Sequence, residues 1–160
     1  MDEERIKRGK IVDISIYILA SFHGNPEGYG KAIAFLEYIK SNGQIHTRME
    51  TVELEGTKNA LLLKTCVKAI ERLNKPCHIT IYVDCPYIQG TLNRRLLEQW
   101  KQRDWKRATG QSPANLSDWK RMYNLLGVHQ VTVEKYNKKY DKELKRILEG
   151  KRIWNEVGNK

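Results

Sequence analysis

The sequence predicts an α/β domain built on a five-stranded mixed sheet, in the order β-β-β-α-β-α-α-β-α with helices on both faces, and three observations carry that expectation. Residues 11–22, IVDISIYILASF, alternate and then run apolar, rich in Ile and Val, as a strand with both faces covered does. Two further strand-like runs, KAIAFLEYI and QIHTRMETVELE, flank KSNG, where Asn42-Gly43 is a two-residue hairpin signal, so three strands form an antiparallel meander. The period then changes: GTKNALLLKTCVKAIERLNKP places Leu62, Cys66, Ala69, Ile70 and Leu73 on one helical stripe closed by Asn74 and Pro76.

After that helix, HITIYVD is a short β-branched strand ending in Asp84, and a crossover helix makes it a parallel partner of the first strand. YIQGTLNRRLLEQWKQRDWKR reads as one helix, ATGQSPANLS as a loop, and DWKRMYNLLG as a helix with Ser117 as its N-cap. HQVTVEKY is the fifth strand, and NKKYDKELKRILEGKRIW a last helix with Asp141 in its first turns. There is no repeat, low-complexity tract or dividing linker, so residues 1–160 are expected to form a single domain with its core in about 11–150 and terminal extensions at 1–10 and 151–160.

The 29 Lys and Arg against 19 Asp and Glu leave a formal charge of +10, which favours an anionic partner, nucleic acid before a membrane surface. MDEERIKRGK has no apolar stretch that could act as a signal sequence, and no run approaches the ~18 residues that span a bilayer, so a soluble, cytoplasmic protein without membrane attachment is expected. Cys66, Cys77 and Cys85 form no C-x-x-C and are odd in number, which indicates neither a zinc knuckle nor a disulfide framework.

Charge concentrates in residues 94–123, where eight Lys and Arg face three acids and three of the four tryptophans lie. Cations that alternate with indoles suit a nucleic-acid backbone, the cations on phosphates and the rings on sugars or bases. The competing reading puts Trp100 and Trp119 in the core and the cations on a solvated face. Residues 135–152 hold another eight Lys and Arg, a second cationic face that on its own reads as a solvated helix side.

Taken in order, GNPEGYG after the first strand, TKN opening the first helix, VDCPYI after the fourth strand, WKQRDWK in the second helix and the late YDKEL resemble type 1 ribonuclease H over residues 12–150. The resemblance implies the RNase H-like fold and an enzyme that cleaves the RNA strand of RNA–DNA hybrids with two Mg²⁺ ions held by four carboxylates. Two of those positions match, Asp84 and Asp141. The other two do not: Leu19-Ala20-Ser21 stands where the family has Asp-Gly-Ser, and Ala60-Leu61-Leu62-Leu63 where it has Arg-Met-Glu-Leu, so Leu19 and Leu62 occupy the missing carboxylate positions.

Other acids do not replace them. Asp13 lies ~20 Å of extended chain from Leu19, Glu71 ~13 Å along the helix from Leu62, and Glu53 and Glu55 sit at the end of the third strand. Further departures lie around the same site: the helix arginine is Ala60, the Gln after the third carboxylate is Pro86, and the His-bearing loop before the last helix is reduced to KYNKKY. The binding features match better. Asn25 corresponds to the turn Asn that touches the RNA minor groove, Thr57 and Asn59 to the polar pair opening the helix, and Trp100, Lys101, Trp105 and Lys106 to the basic protrusion that grips the DNA strand.

The expectation is therefore a catalytically degenerate domain that binds RNA–DNA hybrid or duplex, requires no cofactor and holds Mg²⁺ at Asp84 and Asp141 weakly at best. Two alternatives stand beside it. One is an active Mg²⁺-dependent hybrid ribonuclease with a rebuilt metal site that recruits Ser21, His23 or Glu55. The other is a protein-interaction module, which an exposed apolar patch at Leu19, Leu61 and Leu62 would support.

Overall fold

The computed structural model describes residues 11–150. Three long antiparallel strands, β1 (Val12–Gly24), β2 (Glu27–Ile39) and β3 (Ile45–Thr57), lead into helix α1 (Lys58–Glu71). Strand β4 (Cys77–Tyr82) follows, then α2 (Pro86–Asn93), α3 (Leu96–Gln102), α4 (Leu116–Leu126), strand β5 (Gln130–Glu134), a 3-10 turn (Lys138–Tyr140) and α5 (Asp141–Leu148). The sheet order is β3-β2-β1-β4-β5, with β4 parallel to β1 and β5 parallel to β4. The expected fold class and the parallel pairing of the fourth strand with the first are both present.

Strand alternation sorts the chain into three layers. Ile14, Ile16 and Ile18 of β1, Ile79 and Ile81 of β4 and Val133 of β5 face Leu62, Leu63, Cys66, Val67 and Ile70 of α1, together with Ile88, Leu97, Trp119 and Met122 from α2 to α4. The intervening residues Tyr17 and Ile33 face the other way, against Leu144 of α5. All three cysteines are free and buried.

Several boundaries differ from expectation, each for a local reason. The hairpin loop is three residues longer than its signal segment implies by itself: Lys40 and Gln44 pair at 2.8 Å, and Gly43, at φ 91°, takes the left-handed position before β3 resumes. The single helix expected over 87–107 is two, broken where Arg95 adopts φ 55° and Gln99 donates to the Arg94 carbonyl at 3.1 Å, a break that re-aims Leu97 and Trp100 into the core. Helix α4 starts at Leu116 after Asn115 (φ 59°), so Ser117 lies in its first turn and is not its cap; the Asn115 side chain donates to the Tyr87 hydroxyl at 3.0 Å. Strand β4 ends two residues before Asp84, and the last helix opens with the 3-10 turn. Its expected last turn, together with both terminal extensions, lies outside the described residues.

One buried charge anchors α5 to its face of the sheet. Glu37 of β2 is 4% exposed. It accepts from the Tyr17 hydroxyl at 3.2 Å, from Lys139 Nζ at 2.6 Å and from the Tyr140 hydroxyl. Burial opposes its ionisation, but the bonds from Lys139, Tyr140 and Tyr17 outweigh it and hold the carboxyl below its ordinary value. Burial and then Glu37 push the Tyr17 and Tyr140 phenols up to about 12. Tyr17 stacks on Tyr82 at 5.0 Å and meets Tyr140 edge-on at 5.1 Å, so the carboxylate and its rings seat α5 on the sheet.

Glu37→Gln is expected to cost about 1–3 kcal/mol in urea denaturation at neutral pH, since three donors lose a charged acceptor. Because the folded carboxyl sits below its ordinary 4.5, its contribution is complete above that value and is lost as pH falls through the lower folded value; the variant flattens that acid limb. Buried His129, held neutral below its ordinary 6.5 while it accepts from the Cys77 N–H at 3.1 Å, adds a separate loss that begins below 6.5 in both proteins.

Candidate nucleic-acid interface and carboxylate site

The carboxyl ends of β1 and β4 and the start of α1 meet at one end of the sheet, which is where open α/β sheets place ligands. The turn carrying Asn25 joins β1 to β2, and Glu27 immediately after it pairs with Thr57 of β3. Thr57 caps α1, its Oγ1 accepting from the Ala60 N–H at 3.0 Å. Asn59, exposed in the first turn, accepts from the Cys85 thiol at 3.6 Å, which ties the helix start to the loop holding Asp84. Glycine is required here: a Cβ on Gly30 would stand 2.6 Å from Phe22 Cδ1 and 2.9 Å from Leu61 Cδ2. Asn25, Thr57, Asn59 and Asp84 are thus brought to one end of the molecule by strand register and helix capping.

Asp84 and Asp141 are joined through a residue that the sequence did not single out. Asp84 Oδ1 accepts from the Tyr136 N–H at 3.0 Å, and the Tyr136 hydroxyl donates to Asp141 Oδ1 at 2.7 Å. Lys145, one turn along α5, pairs with Asp141 Oδ2 at 3.0 Å. The bond from Tyr136, and then that from Lys145, hold the Asp141 carboxyl below its usual range, while burial and the same bond push the Tyr136 phenol up. Only the two tyrosines in KYNKKYDKEL hinted at this arrangement.

The leucines at the other two positions belong to different layers. Leu19 packs with Tyr17, Ile33 and Leu144 on the α5 side, while Leu62, 3% exposed, lies in the large core beneath α1. Leu61 is fully buried against Ala32 and Val52. The exposed apolar patch at Leu19, Leu61 and Leu62 that would support a protein-interaction module is not formed, because strand alternation and helix rotation direct the three side chains into three separate clusters. Two of the alternative acids are engaged elsewhere: Glu71 pairs with Arg121 at 2.5 Å, and Glu53 accepts from the Tyr29 hydroxyl at 2.6 Å. Among the described residues no group of three or more His, Cys, Asp or Glu side chains converges.

The basic segment divides into core and surface. Trp100 and Trp119 are buried and meet edge-on at 6.3 Å, and Trp119 Nε1 donates to the Tyr87 hydroxyl at 2.7 Å. Trp100 is therefore a core residue, and its ring is not presented as a contact surface. Trp105 is half-buried at φ 63°, packed edge-on against Tyr123 at 5.4 Å with Lys120 Nζ 5.7 Å from its ring. In the same segment Arg94, Arg95, Lys101, Arg103, Lys106 and Arg107 are all exposed, and none forms an ion pair among the described residues. No helix among those residues is long and apolar enough to cross a membrane.

A family model described as RNase H matches residues 12–138. The Ribonuclease H of Lachnoclostridium phytofermentans is 33% identical over 124 residues, which cover 74% of this chain and 76% of that relative. That of Chlorobaculum parvum is 29% identical over 142 residues, covering 84% and 93%. Among solved structures, LC9-RNase H1, described as a type 1 RNase H with the type 2 active-site motif, matches with a TM-score of 0.69 at 21% identity over 94% of this chain and 75% of that one. A foamy viral protease-reverse transcriptase in complex with dsDNA matches at 0.61 and 12% identity over 91% and 94%. Those two likenesses concern the fold alone. The family match, which runs from β1 to the 3-10 turn, and the 33% identity over three quarters of a curated relative together place the chain in the ribonuclease H family.

Proposed function

We propose that this ribonuclease H-family domain binds nucleic acid, RNA–DNA hybrid or duplex, without metal-dependent cleavage. The observation that carries the reading is the pair of leucines at two of the four carboxylate positions, each committed to a hydrophobic cluster. Mg²⁺ takes oxygen ligands in near-octahedral geometry, and a two-ion centre holds its ions about 3.5–4 Å apart across a bridging carboxylate. Asp84 and Asp141, the one bonded to a backbone N–H and the other to a phenol and an ammonium, do not fit that donor set.

Binding has its own support. Six cations between Arg94 and Arg107 are exposed and without acidic partners among the described residues, and each phosphate they neutralise would release a counterion. Asn25, Thr57 and Asn59 gather at the end of the sheet that carries Asp84, and one fold neighbour was solved on dsDNA. The second reading, an active hybrid ribonuclease with a rebuilt site, draws on the relatives named Ribonuclease H.

A labelled RNA–DNA hybrid incubated with Mg²⁺ or Mn²⁺ is expected to stay intact while it is bound in a salt-dependent manner; cleavage that disappears in Asp84→Asn would establish the second reading instead. The double substitution Lys101→Ala with Lys106→Ala is expected to weaken binding across sequences and to lower the slope of log K against log salt by about two, measured by anisotropy titration at several salt concentrations. A third test uses the sign of a stability change. Neutralising one acid in a cluster of metal-binding carboxylates relieves repulsion, whereas Asp141→Asn here removes an acceptor from Tyr136 and Lys145, so its melting temperature in chelator-containing buffer is expected to fall.

A further inference from the structure

A cavity of about 330 Å³ opens at the end of the sheet remote from Asp84, between the first residues of β1 and β4, the hairpin ends of β2 and β3, and the segment after α1. That volume lies within the range of small-ligand sites. Its floor is apolar, formed by Val12, Ile14, Leu36, Leu73 and Cys77. One wall carries two rings, Tyr38 and His46, with centroids 6.4 Å apart. Thr47 and Asn74 add polar groups at the rim.

The charges that border the cavity do not balance. Glu37 is answered by Lys139 at 2.6 Å, and Arg72 by Glu50 at 2.8 Å, with Lys68 on the same Glu50 carboxylate at 3.7 Å. Arg48 and Lys75 have no acidic partner among the described residues. Two uncompensated cations beside a ring-bearing apolar cleft match a ligand with a planar apolar body and close to two negative charges, which is the chemistry of a phosphate monoester on a nucleoside. We propose that this cavity binds a nucleoside monophosphate, either free or as the 5′-phosphorylated end of a strand. The site is separate from the basic protrusion and does not depend on the proposed hybrid binding.

The test is a two-dimensional amide NMR titration of the full chain with adenosine 5′-monophosphate, adenosine, inorganic phosphate and a 5′-phosphorylated trinucleotide. The monophosphate is expected to shift residues 36–38, 46–48 and 72–77 saturably, with adenosine and phosphate each about tenfold weaker or more. Arg48→Gln with Lys75→Gln is expected to weaken the monophosphate about tenfold or more and to leave hybrid binding unchanged, both side chains being exposed. Saturable shifts with the trinucleotide at the same residues identify a strand end as the source, and shifts with the mononucleotide alone identify the free ligand. The proposal is overturned if shifts gather around Lys101 and Lys106 instead, if phosphate alone binds as tightly as the monophosphate, if the double variant binds unchanged, or if nothing shifts at millimolar ligand.

Discussion

A carboxylate buried in the middle of a strand must be answered by several donors or it unfolds what surrounds it. Glu37 is answered by three donors from two places in the chain: Tyr17 on the neighbouring strand, and Lys139 and Tyr140 on the turn before α5, 102 and 103 residues further on. The aromatic contacts among Tyr17, Tyr82, Phe35 and Tyr140 surround the same point. Helix α5 is short, with Leu144 as its one fully buried side chain, so its seat on the sheet depends on this polar anchor as much as on apolar contact. The position of Asp141, and through Tyr136 its link to Asp84, follows from that seat.

Leu19 and Leu62 illustrate how the scaffold closes over apolar side chains at this end of the sheet. A strand position such as Leu19 faces the α5 layer whatever residue stands there, because the pleat sets the direction, and a leucine gains apolar burial where a carboxylate would need cations. Leu62 does the same on the opposite layer beneath α1. Asp84 and Asp141 both have protein partners, a backbone N–H for Asp84 and a phenol and an ammonium for Asp141. By contrast the cations from Arg94 to Arg107 have no acidic partner among the described residues, so their field remains available to a polyanion.

The order of elements, the antiparallel meander and the parallel fourth strand were legible in the chain, because apolar period and turn residues act over a few neighbours. So were Asp84 and Asp141 as acids at element ends, and the cationic stretch from Arg94 to Arg107. The break at Arg95 and the cap at Asn115 were not legible, and the choice between core and contact for Trp100 was left open, since each depends on where the core already lies when the local chain arrives at it. The charge of Glu37 stood out only as a lone acid in AFLEYI, and its partners lie too far along the sequence for any local pattern to name them. Periodicity and composition therefore decide the elements and the overall charge, which are properties of neighbouring residues. Which leucines meet, which acids are satisfied and which cations stay free are decided by packing, because those outcomes depend on distances across the sheet that no stretch of sequence contains.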